Sequence, residues 1–392
     1  MSNNTTASPE PTTNGEKPAK NGEDGYLISA LQKAGIQSYK EAFETGKLKY
    51  TTVQLYIPTG IVPVDHILGG GFPAGRITEI YGPEAVYKSG LSQMALECCL
   101  YMGGVGLFYD NEETFDETRS VLPSFPGFIY DISNSIEDFF KSIKKNLEIV
   151  TSLKNAISVA LWDSIPATLP KQILESDEGE RTLGEAARIM SIEIPRCKAL
   201  IRESLCAFIA VNQVRANINQ TNKYDKYENP YHTPGGNAPK FFATLRLMLQ
   251  KRGKFTWYAD SIETNGVYIE VLVEKNKNFN PFQRAIFPIV YQDKRGGDPA
   301  IAYFDWATNL EEITVAGAGR WNFGPIIPDL KCHKTEFHHA YLENLDVFLD
   351  FYYGKTGFKY GDLARIGVKA ITERLYAQTT EITRGPKKVR PK

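Results

Sequence analysis

The 392-residue sequence contains no uninterrupted apolar run of about 18 residues and no apolar leader, so it predicts neither a membrane-spanning helix nor a secreted protein. Cysteine is scarce: the five cysteines form no Cys-x-x-Cys pair, and an odd number cannot all pair with one another. A disulfide framework is therefore disfavoured, and the reduced thiols of a cytoplasmic protein are expected. The net charge of −1 shows no excess of basic residues, so any contact with nucleic acid must be local.

No Gly/Ser-rich linker or internal repeat interrupts residues 51–295, so this span is predicted to be one globular domain. Residues 1–22 offer almost nothing to bury and predict a disordered tail. Residues 23–50 carry apolar side chains at loosely helical spacing, which predicts an arm that docks on its own domain or on a neighbouring subunit. Beyond the core, 296–380 predicts a small α-rich C-terminal module and 381–392 a basic tail.

The chain is organised around a stretch that follows an apolar run at 76–81 and precedes a helix-like segment at 91–100. A strand, a short loop, Lys-Ser and a helix can hold nucleotide phosphates through backbone N–H groups and the lysine charge, while the hydroxyl binds Mg²⁺. The predicted phosphate-binding residues are Gly82, Pro83, Glu84, Ala85, Val86, Tyr87, Lys88, Ser89 and Gly90. Tyr87 stands where this pattern has glycine. Its ring must point either away from the phosphates, onto the core or a neighbouring subunit, or into their pocket.

Acidic and amide residues follow several short apolar runs. These runs lie at 105–109, 157–161 and 206–211, and further strands are predicted at 242–249, 267–273 and 285–290. The first three lead into Glu112-Glu113, Asp163 and Gln213, with helix-length segments between them. This alternation predicts an α/β fold with a mostly parallel central sheet and ligand groups at its carboxyl edge. Adjacent residues of an extended segment face opposite ways, so periodicity leaves Glu112 and Glu113 as rivals.

Several segments, taken in order, resemble the RecA recombinase family. They are Gly75-Arg76-Ile77-Thr78-Glu79-Ile80-Tyr81-Gly82-Pro83-Glu84, Trp162-Asp163-Ser164, Leu183-Gly184-Glu185-Ala186-Ala187-Arg188, Asn212-Gln213-Val214-Arg215, Gly235-Gly236-Asn237-Ala238-Pro239-Lys240-Phe241, and Lys275-Asn276-Lys277 with Pro281-Phe282. Their joint specificity is high although each is short. The aromatic residue at 87 and Gly296-Gly297-Asp298-Pro299 resemble the phage UvsX-like branch. The resemblance implies a RecA-type P-loop ATPase core that uses ATP and Mg²⁺.

The resemblance also implies roles for individual residues at the nucleotide. Lys88 would contact the β- and γ-phosphates, Ser89 would bind Mg²⁺, and Asp163 would hold the same ion through water. Glu112 would be the general base that orients or deprotonates the attacking water. Asp116 would then fall on the adenine side.

Three further residues are implied to act beyond the phosphate loop itself. Gln213 resembles the amide that senses the γ-phosphate and passes its state to the following loop. Lys275 and Lys277 resemble lysines that reach across a filament interface to the neighbour's ATP, as a charge clamp supplied in trans. Hydrolysis would then require assembly.

Two segments, at 170–183 and 216–234, are predicted to be DNA-binding loops. The second interleaves basic and aromatic residues, which neutralise phosphates and stack on bases without demanding a sequence. A structureless loop of about 19 residues inside a compact domain is usually functional or disordered. The predicted DNA-binding residues are Arg188, Arg196, Arg215, Lys223, Tyr224, Lys226, Tyr227, Gly235, Gly236 and Asn237.

The resemblance implies an ATP-dependent recombinase that forms a helical filament on single-stranded DNA, pairs it with homologous duplex DNA and exchanges strands. Loader or mediator proteins and single-strand-binding proteins are expected partners, and no membrane is. Two alternatives stay open. One is a recombinase paralogue or mediator with weak ATPase activity, which Tyr87 favours. The other is a hexameric helicase-type motor, which the long second loop and the Lys275/Lys277 pair disfavour.

Overall fold

A computed structural model of the chain describes residues 53, 55–153, 156–176, 184–216, 231–259, 262–290, 296–356 and 362–383. The chain divides between Thr52 and Val53 into two units, and all described residues belong to the second. Four predicted parts lie wholly or partly outside the described residues: the tail and arm at 1–50, most of the basic tail, the second half of the first DNA loop (177–183) and the central part of the second (217–230). None of the described helices is long and apolar enough to cross a membrane.

The described residues form one large sheet, three small ones, and helices on both faces of the large sheet. The strands are β1 (Tyr56–Ile57), β2 (Phe72–Pro73), β3 (Arg76–Gly82), β4 (Val105–Asp110), β5 (Phe128–Asp131), β6 (Ser158–Asp163), β7 (Cys206–Gln213), β8 (Arg215–Ala216), β9 (Tyr231–His232), β10 (Leu245–Ala259), β11 (Ile262–Asn276), β12 (Arg284–Val290), β13 (Gly296–Gly297), β14 (Thr314–Gly317), β15 (Arg320–Asn322) and β16 (Lys331–His333). The α-helices are α1 (Val62–Leu68), α2 (Lys88–Tyr101), α3 (Ile136–Ser152), α4 (Lys171–Glu175), α5 (Glu185–Glu203), α6 (Ala238–Phe242), α7 (Pro299–Asn309), α8 (Phe337–Glu343), α9 (Leu345–Thr356) and α10 (Asp362–Thr383).

The large sheet has the order β13-β12-β11-β10-β3-β7-β6-β4-β5 among the described residues. Pairing is parallel from β10 through β3, β7, β6 and β4 to β5, and antiparallel from β10 to β13. The parallel strands therefore end at one edge, and this is where the predicted acidic and amide residues meet. The predicted α/β fold with a mostly parallel sheet is confirmed.

Alternate residues of β6 face the two helical layers. Val159 and Leu161 pack in the cluster that contains α2, whereas Ala160 and Trp162 pack in the cluster that contains α3 and α5. Trp162 stacks on Phe139 of α3 with ring centroids 4.1 Å apart. Because β6 is buried on both faces, its sequence is almost continuously apolar until Asp163.

The predicted strand at 242–249 was placed too early. Residues 238–242 form the short helix α6, which has Pro239 in its first turn, and the strand begins at Leu245. Strands β10 and β11 also form a long hairpin that extends well beyond the predicted apolar stretches. The extension includes Lys251 to Lys254, which are largely exposed. Backbone pairing extends this hairpin without the alternating apolar pattern from which strands are predicted.

In its described residues, the segment after β13 contains four α-helices and a small antiparallel sheet, β14-β15-β16, which the α-rich prediction did not include. Its core is dominated by aromatic residues, including Tyr303, Phe304, Phe337 and Phe348. Trp257, near the tip of the β10–β11 hairpin, belongs to the same cluster. The hairpin thus supplies part of the C-terminal core. The boundary between core and C-terminal module near residue 295 stays a prediction.

Candidate nucleotide-binding site

The phosphate-binding segment links β3 directly to α2, as predicted. Gly82 ends β3 where the carbonyl oxygen of Leu249 on β10 approaches closely: a Cβ at Gly82 would lie 2.3 Å from that oxygen. Ala85 and Tyr87 adopt left-handed backbone conformations, with φ of 54° and 66°. The tight turn that the family pattern assigns to glycine is therefore made here by two residues with side chains.

Lys88 is the first residue of α2, and its ammonium group folds back onto the loop. Its Nζ donates hydrogen bonds to the carbonyl oxygens of Gly82 at 3.1 Å and Pro83 at 2.6 Å. Burial lowers the pKa of Lys88, while the carboxylates of Asp163, Glu112 and Glu84 act in the opposite direction. A cation held inside the loop in this way is available to an incoming phosphate.

A cavity of about 560 Å³ opens beside this segment. It is lined by Glu84, Ala85, Val86, Tyr87, Lys88, Ser89, Gly90, Glu112, Asp163, Val211, Gln213, Val267 and Ile289. The structure thus brings most of the predicted nucleotide residues to one place, from the ends of β3, β4, β6 and β7. The apolar members Val211, Val267 and Ile289 were not predicted, because their positions look like ordinary core positions in the sequence.

Asp163 lies at the end of β6 and is buried. Burial raises its pKa to about 6; the negative charges of Glu112 and Asp110 add to this effect, and a hydrogen bond with Ser89 opposes it. Its Oδ1 atom has no hydrogen-bond partner among the described residues. A buried carboxylate oxygen beside a helix-start hydroxyl fits a site for Mg²⁺, which prefers oxygen ligands and retains several waters.

Glu112 lines the cavity, and contacts from the ends of β6 and β7 hold it there. The backbone N–H groups of Asn111 and Glu112 donate to the carbonyl oxygen of Asp163 at 2.7 and 3.1 Å, which fixes the segment after β4. The hydroxyl of Ser164 donates to Glu112 Oε1 at 2.5 Å, and the amide of Gln213 donates to the same oxygen at 3.3 Å. The Asp163–Ser164 peptide bond is cis.

Glu113 is exposed, adopts a left-handed φ of 53° and does not line the cavity. The choice between the two adjacent glutamates, which periodicity left open, therefore falls on Glu112 by position. Ser164 was not predicted as a site residue, although it stands in the Trp162-Asp163-Ser164 motif.

The ring of Tyr87 packs against the core. Its hydroxyl accepts a hydrogen bond from the backbone N–H of Gly297 at 3.1 Å and lies 3.8 Å from the sulfur of Met94. The ring is tilted against Phe287 with centroids 6.2 Å apart, and a Cβ added at Gly90 would meet it at 2.3 Å. Tyr87 still borders the cavity, but these contacts direct its hydroxyl to the sheet edge at β13.

Five predicted nucleotide residues do not line the cavity; two of them, Gly82 and Pro83, lie just before the lining residues, and their carbonyl oxygens accept hydrogen bonds from Lys88. Asp116 is exposed and caps the 3₁₀ turn Glu117–Arg119 by accepting from the backbone N–H of Thr118. The side chain of Lys275 extends to α6, where its Nζ donates hydrogen bonds to the carbonyl oxygens of residues 240 and 241 at 2.7 and 3.2 Å. Lys277 is exposed. Roles for Lys275 and Lys277 at a neighbouring subunit's nucleotide stay a proposal.

The predicted DNA-binding residues are placed only in part. Arg188 and Arg196 are exposed on α5 and pair with Glu185 and Glu193, each at 2.7 Å. The first predicted loop begins with the short helix α4, and residues 177–183 lie outside the described residues. Lys223, Tyr224, Lys226 and Tyr227 lie outside them as well.

The two ends of the second predicted loop are held together. Arg215 pairs with His232 in the β8–β9 ladder, and the side-chain amide of Asn212 donates to the carbonyl oxygen of Pro234 at 3.0 Å. Gly235 and Gly236 have φ of 94° and 70°, where side chains at either residue would clash with α5. Asn237 follows at the start of α6.

A buried polar network behind the cavity was not predicted. Glu79 of β3 accepts hydrogen bonds from the amide of Asn212 at 2.9 Å and from Arg246 Nε at 2.7 Å. Arg246 also pairs with Glu274 and lies over the ring of Tyr81 at 4.7 Å. The network thus links β3, which leads into the phosphate loop, to Asn212, the residue before Gln213. It also links β3 to β11, which carries Lys275. A charged residue within the apolar run at 76–81 was the available signal.

Replacing Glu79 with alanine should lower the free energy of unfolding by roughly 3 kcal/mol, because it removes the buried carboxylate to which both Arg246 and Asn212 donate hydrogen bonds. Thermal or denaturant unfolding measures this. Glu343→Ala is the control, since Glu343 pairs with His339 on the exposed surface at 3.0 Å, and a loss below about 0.5 kcal/mol is expected there. Equal effects of both substitutions would show that the network does not stabilise the core.

Known proteins are similar to this chain over the span that contains the cavity-lining residues. The family model for the RecA N-terminal domain matches residues 29–295. The protein named Protein RecA from Francisella philomiragia is 35% identical over 265 residues, which cover 67% of this chain and 69% of that protein. Protein RecA of Aquifex pyrophilus is 34% identical over 269 residues, covering 67% and 72%. The matches do not separate the UvsX-like branch from the rest, so that finer placement stays a prediction. With its sheet order, its phosphate loop and this similarity, the chain belongs to the RecA family of ATP-dependent recombinases.

Proposed function

We propose that this chain binds ATP with Mg²⁺ in the cavity beside α2, assembles as a filament on single-stranded DNA and exchanges that strand with a homologous duplex. The observation that carries this proposal is the meeting of Lys88, Ser89, Glu112, Asp163 and Gln213 around one cavity. Gln213 is also the last residue of β7, three residues before the second predicted DNA loop begins at 216. One residue thus lines the cavity and lies close in sequence to that loop.

In the proposed mechanism the phosphates lie against the start of α2, where backbone N–H groups and Lys88 favour negative charge. Ser89 would hold Mg²⁺ directly and Asp163 through water; bound there, the ion supplies neutralisation of the charge on the phosphate oxygens. Glu112 accepts a proton from the attacking water. Ser164 and Gln213 hydrogen-bond Glu112 Oε1 and so set the direction of its carboxylate.

Gln213 is proposed to report the nucleotide state to the DNA loop. Its amide bonds Glu112 at 3.3 Å, a long contact that a γ-phosphate could replace. The adjacent Asn212 ties β7 to Pro234 at the far end of the loop. A shift of Gln213 would therefore act on a loop whose two ends are already fixed.

DNA contact is proposed for the second loop together with Arg188 and Arg196. Replacing Tyr224, Lys226 and Tyr227 with alanine should weaken single-stranded DNA binding at least about tenfold, because stacking on aromatic rings contributes roughly 1–3 kcal/mol per base. Fluorescence anisotropy at several salt concentrations measures this. ATP binding should be unchanged, and the salt dependence should become shallower because a phosphate contact is lost. If the triple variant bound single-stranded DNA as tightly as wild type, the loop would not be part of the DNA interface.

The test of the proposed function is strand exchange between a labelled single strand and homologous duplex, with ATP and without nucleotide. ATP hydrolysis is followed in parallel, with and without single-stranded DNA. Exchange that needs ATP, with hydrolysis stimulated by DNA, is expected. The comparisons favour neither the paralogue nor the helicase-type alternative; ATP binding without exchange would support the first, and closed rings in negative stain the second. A cytoplasmic location and the help of loader and single-strand-binding proteins belong to the same proposal.

A further inference from the structure

We propose that Tyr87 is a positioning residue that fastens the phosphate loop to the C-terminal segment 296–383, so that affinity for ATP depends on this attachment. The inference rests on the proposed nucleotide site. It goes further by assigning the C-terminal segment, which contributes no residue to the cavity lining, a part in shaping that site.

The first contact joins the loop to the beginning of the C-terminal segment. Tyr87 holds a left-handed backbone conformation, φ 66° and ψ 28°, immediately before α2. Such a conformation is unfavourable for a residue with a Cβ and persists only where the surroundings hold it. Here the Tyr87 hydroxyl accepts the N–H of Gly297 at 3.1 Å, across 210 residues of sequence. This bond holds the far end of the side chain whose backbone forms the turn.

The second observation is that Gly297 is itself held by its neighbour. Asp298 is buried, and its carboxylate accepts from the N–H of Ile301 at the start of α7 and from the hydroxyl of Tyr376 on α10. His338 of α8 lies 3.3 Å from the other carboxylate oxygen. Three helices of the C-terminal segment thus meet at the residue after Gly297. The position of the Gly297 N–H is set by the packing of that segment.

The third observation is a second contact between the C-terminal segment and α2, made by α10. Arg374 of α10 donates two hydrogen bonds to the buried Glu97 of α2, at 2.6 and 2.8 Å. Gly367 of α10 lies so close to α2 that a Cβ there would come within 3.0 Å of the carbonyl oxygen of Cys98. The helix that begins at Lys88 is therefore held by α10 in its second half, at Glu97 and Cys98, while Tyr87 holds its start.

Gly90 shows that the sequence is adapted to this arrangement. A Cβ at Gly90 would lie 2.3 Å from the ring of Tyr87, which covers the first turn of α2. The ring cannot simply swing aside, because its hydroxyl is bound to Gly297. The phosphate-loop pattern has a glycine immediately before the lysine. Tyr87 stands at that position here, and Gly90, three residues after it, leaves room for the ring.

The decisive experiment titrates a fluorescent ATP analogue with Mg²⁺ into the full chain and into Tyr87→Phe. Loss of the hydroxyl should weaken binding about fivefold, as expected for one hydrogen bond that orders the loop. The loss should appear in the KM for ATP more than in kcat at saturating ATP and DNA, which distinguishes a weakened binding loop from a damaged reaction centre. Tyr268→Phe is the matched control, because it removes a hydroxyl that bonds Asp305 at 3.0 Å and belongs to a residue that does not line the cavity.

A second pair of variants tests the attachment from the other side. Arg374→Gln breaks the contact with Glu97, whereas Lys369→Gln breaks a contact of the same helix with Asp346 at 2.7 Å. Only Arg374→Gln should weaken ATP binding. Gly90→Ala should weaken it more than Tyr87→Phe does, and the double variant Tyr87→Gly with Gly90→Ala should recover part of the loss.

The outcomes separate the inference from the function on which it rests. A wild-type chain that does not bind the analogue would overturn the proposed nucleotide site itself. A wild type that binds, with Tyr87→Phe and Arg374→Gln binding equally well, would overturn only the attachment. Lower thermal stability in these two variants with unchanged ATP affinity would do the same, because it would make the contacts purely structural.

Discussion

Replacing Glu112 with glutamine is expected to reduce DNA-stimulated ATP hydrolysis about 10³-fold, because glutamine cannot accept the proton of the attacking water. Affinity for ATP and for single-stranded DNA should stay within about threefold, since an amide of the same shape keeps the hydrogen bonds with Ser164 and Gln213. Steady-state hydrolysis, nucleotide titration and DNA anisotropy on the same preparation measure the three quantities.

The matched control is Glu113→Gln. It makes the same chemical change one residue away, on an exposed side chain outside the cavity lining. Its hydrolysis should equal that of wild type. If Glu113→Gln were the inactive variant and Glu112→Gln the active one, the assignment of the general base would be wrong, and the segment after β4 would have to rearrange when nucleotide binds.

Lys275→Ala is expected to lower hydrolysis about 10³-fold or more, as when a cation supplied in trans to a transferring phosphoryl group is lost. ATP binding to the isolated subunit should be unchanged, because Lys275 does not line the cavity of its own chain. Burial lowers the pKa of Lys275, and the positive charges of Lys277 and Arg246 add to this effect. To reach a neighbour, its ammonium must leave the carbonyl oxygens of residues 240 and 241.

Mixing variants tests the trans arrangement directly. Glu112→Gln subunits keep Lys275, and Lys275→Ala subunits keep Glu112, so each variant alone lacks one group at every interface. In an equal mixture that assembles at random with head-to-tail contacts, about one interface in four joins an intact Glu112 to an intact Lys275. Hydrolysis should recover toward that fraction of the wild-type rate. No recovery in mixed filaments would mean that both residues act within one subunit.

The strands that carry the site could be predicted because each is a local pattern. Strand β6 is an apolar run that stops at Asp163, and β7 is another that leads into Gln213. Parallel strands must end at one edge of a sheet, so the meeting of these residues followed from the order of the runs. The start of β10 was predicted too early because here the local pattern was misleading. Phe241 and Phe242 continue the apolar run in sequence, yet Pro239 and the preceding turn start a helix there.

The sequence alone determined the α/β fold, the phosphate loop, the charged and amide residues that line the cavity and, through its resemblance, the family. These follow from local periodicity and from short motifs whose chemistry depends on neighbouring residues. Only the tertiary structure showed that Glu112 lines the cavity while Glu113 does not, and only it gave the direction of the Tyr87 ring. Both answers depend on contacts with residues far away in the chain, such as Gln213, 101 positions from Glu112, and Gly297, 210 from Tyr87. The periodicity of a single segment carries no information about such partners, because packing selects them only once the whole sheet has formed.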